Sequence, residues 1–123
     1  MTNKLDNVAQ ALIRHLAASE EDKDTDHWAW QCVEDMIDEG DALEAWSVIL
    51  RAIQLSSRDR EVRFLGAGVL ESLLVRRGPE VIDAISAEAA HESRILTALR
   101  AAYLSDADES VRRRVEELGG PQR

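Results

Sequence analysis

An all-α fold follows from three observations on the sequence. No segment alternates with period two, apolar residues recur at helical spacing, and only Pro79 and Pro121 interrupt the helix formers. At 123 residues the chain, 1–123, is one domain and is long enough to bury a core without disulfides. Six to seven helices are expected, packed as antiparallel HEAT-like pairs around a central helix over 59–77.

The first helix is predicted from about Asp6 to Ala18, with Leu5, Val8, Ala9, Leu12, Ile13 and Leu16 as one apolar stripe. The acidic run SEEDKDTD, 19–26, ends it. A second helix starts near Asp26, whose carboxylate is expected to cap it, and ends at Gly40, a residue suited to a left-handed C-terminal position. Trp28 and Trp30 are expected to flank its apolar face as packing wedges, with Cys32 between them.

Asp41 and Glu44 have capping-box spacing for a third helix that carries Leu43, Trp46, Ile49, Leu50 and Ile53 on one side. Ser57 or Asp59 opens the fourth, whose Val62, Phe64, Leu65, Val69, Leu70, Leu73, Leu74 and Val75 run almost all the way round. A helix apolar on every side is surrounded by others, which makes 62–75 the predicted centre. Arg77-Gly78-Pro79 stops it, and Pro79 suits the first turn of a fifth helix running to Ala90. His91-Glu92-Ser93 is a short break before a sixth helix through Leu104. Asp106 and Glu109 again have capping-box spacing, for a last helix using Val111, Val115 and Leu118.

Two segments resemble each other: SRDREVRFLGAGVLESLL and SDADESVRRRVEELGG share an acidic start, then Val-Arg, then Leu. This is similar to the second-helix signature of HEAT-type repeats, and it carries the HEAT-like pairing expected above. A wider resemblance lies in HWAWQCVEDMIDEGDALEAWSVIL and FLGAGVLESLLVRRGPEVIDAISAEAAHESRILTAL. Together these resemble a bacterial family of small helical domains of unknown function. That family has a Trp-containing helix (Trp28 or Trp30), an Ala-Trp helix (Ala45-Trp46) and a Gly-Ala-Gly-x-Leu-Glu-x-Leu-Leu segment (Gly66 to Leu74). A glycine (Gly78) and an Ala-rich helix (Ala84 to Ala90) follow. Where the family tends to an Asp-Pro-Arg-Phe-Arg-like stretch, this chain has Glu92-Ser93-Arg94-Ile95-Leu96 and keeps only the arginine. The resemblance spans about 27–104 and implies the helical fold but no reaction.

Charge is unevenly placed. Residues 1–44 carry twelve acids and three bases, a net −9, while 45–123 carry twelve of each. An acidic field repels nucleic acid and anionic membrane and steers basic partners. The chain has no membrane-length apolar run and no signal-peptide pattern, so a cytoplasmic location is expected. The single cysteine excludes an internal disulfide and any zinc site needing two thiolates from this chain.

No residue pattern points to catalysis, a cofactor or a metal. Asp22-Lys23-Asp24-Thr25-Asp26 opens like an EF-hand loop, but His27 replaces the turn glycine and Val33 the bidentate glutamate. Capping and solvation are expected there, with a looser cation site as the alternative. His15, His27 and His91 lie on separate segments, and Cys32 is expected to be a buried, inert thiol. Gly66-Ala67-Gly68 lacks the ending of a phosphate loop and suits close helix approach instead. Glu71 is expected to be a structural buried carboxylate, partnered from another helix by Arg100 or Arg94. The clustered arginines lack aromatic interleaving, which argues against nucleic-acid binding.

The leading expectation is a non-catalytic protein-binding module that meets a basic protein through Glu34, Asp35, Asp38, Glu39 and Asp41. Immunity proteins and antitoxins of similar size and charge provide the analogy. A HEAT-like scaffold or adaptor is the alternative, and an enzyme centred on Glu71 is a third reading. The sequence leaves the oligomeric state open.

Overall fold

A computed structural model describes residues 4–17 and 25–119. Residues 19–24 of the acidic run, and with them the alternative cation site, lie outside these. The helices are α1 (Lys4–Ala17), α2 (His27–Asp38), α3 (Ala42–Leu55), α4 (Asp59–Leu65), α5 (Glu71–Ala89), α6 (Arg94–Ala101) and α7 (Glu109–Gly119). A single π-helical turn, Gly66–Leu70, joins α4 to α5, and the described residues include no strand. The fold is all-α.

α4, the π turn and α5 form the element around which the others gather. α1 packs on α3 and on α2, and α3 packs on α5. On the other side α6 lies against α4 and the π turn, while α7 lies against α5. Val62, Leu65, Val69, Leu70, Leu73 and Leu74 are fully buried in this arrangement.

The central helix is nevertheless not apolar all round. Phe64 is exposed beneath the guanidinium of Arg60, whose Cζ lies 5.1 Å from the ring centroid, and Val75 is half-buried. The π turn advances less than 100° per residue, so a uniform helical projection loses phase beyond Gly66. At Arg77 (φ −134°, ψ 20°) the backbone leaves the helix, which makes the expected break at Arg77-Gly78-Pro79 a kink inside α5. α6 ends at Ala101, ahead of the expected Leu104, which remains buried in the following loop.

Helix ends depart from the sequence reading more than helix bodies do. Asp26 does not cap α2; both its carboxylate oxygens accept from Arg14 at 3.2 Å. Asp41 does cap α3, accepting the Leu43 N–H at 2.9 Å. Before α4 the Glu61 carboxylate reaches back to the N–H groups of Ser57 (2.9 Å) and Arg58 (3.1 Å). For α7 the cap is Asp108, not Asp106: Asp108 accepts from the Ser110 N–H at 2.9 Å and hydroxyl at 2.7 Å.

Gly40 is not left-handed, and among the described residues no glycine has positive φ. Carbonyls at the end of α2 are met instead by Arg77, which donates to the oxygens of Ile37 (3.0 Å) and Gly40 (3.2 Å). Arg94 does the same for α3, donating to the oxygens of Ser56 (2.8 Å) and Gln54 (3.3 Å). Unpaired carbonyls at helix C-termini carry partial negative charge, which a guanidinium satisfies twice over. Part of the arginine richness of the C-terminal two-thirds is explained by this terminal role.

The Asp108 cap makes acid sensitivity testable. The Ser110 hydroxyl bond, then the Ser110 N–H bond, hold the Asp108 carboxyl below its ordinary range. A group depressed on folding contributes stability above its unfolded value and loses that contribution as pH falls through the folded one. Asp108→Asn is therefore expected to flatten the loss of stability below about pH 5 in urea titrations. An unchanged acid limb would show that Ser110 does not hold the Asp108 carboxylate in the folded protein.

Candidate functional site

The acidic residues of α2 and its C-terminal turn divide into two groups. On one side, Arg76 of α5 reaches Glu34 and Asp38 together, in two charge-assisted bonds. Glu34 is only 9% exposed, so it belongs to the helix interface rather than to the solvated face that sequence spacing predicts. Its Oε2 is buried without a hydrogen-bond partner. The bond that Arg76 donates to Glu34 is the largest influence holding its guanidinium above its ordinary value; burial opposes it, and Asp38 adds to it.

On the other side, Asp35 and Glu39 are exposed, and Asp35 accepts only a bond from Gln31, at 3.2 Å. Asp41 is exposed but engaged as the α3 cap. Of the five expected partner-binding acids, therefore, Glu34 and Asp38 are drawn into an ion-pair cluster, Asp41 into a cap, and Asp35 and Glu39 remain turned to solvent.

Trp28 joins them. Half of its surface is exposed (49%), while the buried line of α2 runs through Ala29, Val33 and Ile37. Trp28, Asp35 and Glu39 fall within about 40° of one another in helical projection. The expected wedge role holds for Trp30, which packs against the core, but not for Trp28. Cys32 is half-buried between the two faces. The outer surface of α2 thus presents an indole with two carboxylates further along the same stripe, about two and three turns on.

Other sequence-predicted groups are placed as follows. Glu71 is partly buried rather than buried, and its Oε1 accepts the Tyr103 N–H at 2.7 Å. Arg94 and Arg100, its expected partners, turn to other groups: Arg94 to Glu92 and the α3 carbonyls, Arg100 to the Gly119 oxygen at 2.6 Å. The phase slip of the π turn moves Glu71 toward the loop after α6, where a free N–H is its partner. His15 and His27, which lie on different segments of the sequence, come together with ring centroids 5.4 Å apart, and His27 meets Trp30 at 5.3 Å. Among the described residues no group of three or more His, Cys, Asp or Glu side chains is placed to hold a metal ion, and no helix is long and apolar enough to cross a membrane.

Arg76 and Arg77 belong to the clustered arginines expected from the sequence to pair with carboxylates, and they are so paired. What the sequence leaves unseen is that both, at the kink in α5, reach α2.

A family model described as a family of unknown function (DUF6869) matches residues 16–120. No curated protein and no solved structure matches the chain.

Proposed function

Since the chain belongs to the DUF6869 family, whose function is unknown, we propose from its own surface that it is a non-catalytic protein-binding module. Its partner is a basic protein, held on the outer face of α2 in the manner of an immunity protein or antitoxin. The observation that carries this reading is the exposed Trp28 on the same outward stripe of α2 as the exposed Asp35 and Glu39. An indole face attracts a lysine or arginine, and the carboxylates further along the stripe can pair with other basic groups of the same surface. Tryptophan is also the residue type most often found where binding energy concentrates. The net −9 of residues 1–44 adds long-range attraction that speeds encounter with a basic surface.

The test starts from a partner recovered by pull-down from the native host, with affinity then measured on purified proteins. Trp28→Ala is expected to weaken binding about 10-fold or more, and Asp35→Lys with Glu39→Lys at least as much. Affinity is also expected to fall steeply with added salt. A partner bound equally well by both variants, at low and high salt alike, would sink the reading and favour a scaffold role that uses another surface.

A further inference from the structure

We propose that the outer face of α4 docks on the outer stripe of α2 of a second copy of this chain, so that the protein associates with itself head to tail. The inference goes beyond the reading above: it uses the same α2 stripe but needs no basic partner to exist.

The starting observation is which arginines stay free. Arg58, Arg60 and Arg63 are exposed, and among the described residues none of their guanidinium groups joins an ion pair or donates a hydrogen bond. Every other described arginine donates to a carboxylate or to a backbone carbonyl oxygen. The free ones gather at α4 and the residue before it. Arg60 also lies over the ring of Phe64, itself exposed.

In helical projection Arg60, Arg63 and Phe64 fall within about 100°, directly opposite the buried Val62 and Leu65. Two acids lie nearby but outside this stripe. Asp59 is about 40° beyond Arg63, and Glu61 about 60° beyond Phe64. Glu61 is moreover turned back to the N–H groups of Ser57 and Arg58. The stripe itself therefore carries two positive charges and no negative one.

Such a stripe calls for carboxylates set beside an aromatic group, and this chain presents that combination on α2. Trp28, Asp35 and Glu39 are exposed, and none joins an ion pair among the described residues. Asp35 and Glu39 are about 6 Å apart along the helix axis, and Arg60 and Arg63 about 4.5 Å, so both pairs engage at once. Laid antiparallel, with Asp35 at Arg63 and Glu39 at Arg60, the helices set Trp28 beyond Phe64, over the exposed Ala67. A second copy seated there occupies the stripe that a basic partner would use.

Sedimentation equilibrium of the full chain is the test. The mass is expected to rise with protein concentration in about 0.01 M salt, where charges are felt over about 30 Å. It is expected to return to that of the monomer in about 1 M salt, where they are felt over about 3 Å. Two variants separate the faces, one carrying Arg60→Glu with Arg63→Glu, the other Asp35→Lys with Glu39→Lys. Each alone is expected to associate about 10-fold or more weakly than the parent chain. Mixed in equal amounts they are expected to associate again, because the intact α2 stripe of one meets the intact α4 stripe of the other.

A parent chain that stays monomeric in low salt would overturn the inference. So would undiminished association of the Arg60→Glu, Arg63→Glu variant, or a mixture that stays as monomeric as its two components. Each of these results leaves the basic-partner reading standing, since that reading is decided by Trp28→Ala against the recovered partner.

Discussion

Gly66→Ala is expected to destabilise the protein by about 3 kcal/mol or more, while Gly68→Ala, two residues on, is expected to stabilise it by up to about 1 kcal/mol. A Cβ at Gly66 would stand 2.0 Å from the Ala98 carbonyl oxygen and 2.7 Å and 2.9 Å from its carbonyl carbon and Cα. All three atoms are backbone of α6, so no side-chain rotation relieves the overlap; the helix itself must move. Ala98 and Leu99 are buried at that contact, and displacing α6 loosens its whole seat on α4 and the π turn. Gly68 faces open space, with nothing within 4 Å of its added Cβ. There only the helix penalty of glycine remains, and alanine removes it. Urea unfolding of the two single variants decides the matter: midpoints shifted in the same direction would show that the close approach of α4 to α6 is not what Gly66 serves.

The same pair of glycines marks where the sequence was legible and where it was not. Gly-Ala-Gly in a helical pattern correctly announces a close approach of two helices. Nothing in the composition says that only the first glycine makes it, because the π turn that separates the two roles leaves no periodic trace. Helix bodies were legible because their apolar residues recur with the helical period: Val8, Ala9 and Leu12, Ile49 and Ile53, and Val111 and Val115 are buried where that period puts them. Helix ends were less so. Caps are chosen among several neighbouring polar groups by tertiary competition, as Arg14 shows by taking the carboxylate of Asp26 and Arg77 by taking the place of a left-handed Gly40.

On α2 the projection put Asp35 and Asp38 on the exposed side and Ala29, Val33 and Ile37 on the buried one, but misplaced Glu34 and Trp28. Which acids stay free depends on α5, a helix 38 to 42 residues away in sequence, and that dependence is invisible to local spacing. Trp28 was misjudged for a related reason. Large aromatic residues are usually packed, and only the buried line Ala29, Val33, Ile37 fixes which side of α2 faces inward.

Removing the guanidinium that binds these acids is expected to have the second large effect. Arg76→Met keeps the stem of the side chain but leaves Glu34, 9% exposed, with no opposite charge and with Asp38 as a neighbouring like charge. Breaking a buried pair costs about 3–5 kcal/mol; with Arg76 itself 36% exposed, water screens part of that, and a loss of about 2–3 kcal/mol is expected. Glu34→Gln alone should cost less, because the amide oxygen still accepts from Arg76 and no lone charge is buried. Glu34→Gln combined with Arg76→Met should recover stability relative to Arg76→Met alone, giving a coupling of about 1–3 kcal/mol in a double-mutant cycle. Additive effects would mean that the Arg76 bonds contribute through packing alone. The cycle also bears on binding: Glu34 and Asp38 lie to one side of the proposed contact face, so Arg76→Met should unfold more readily yet bind a basic partner no more weakly once folded. With one positive charge fewer on α5 beside that face, the attraction there should if anything increase.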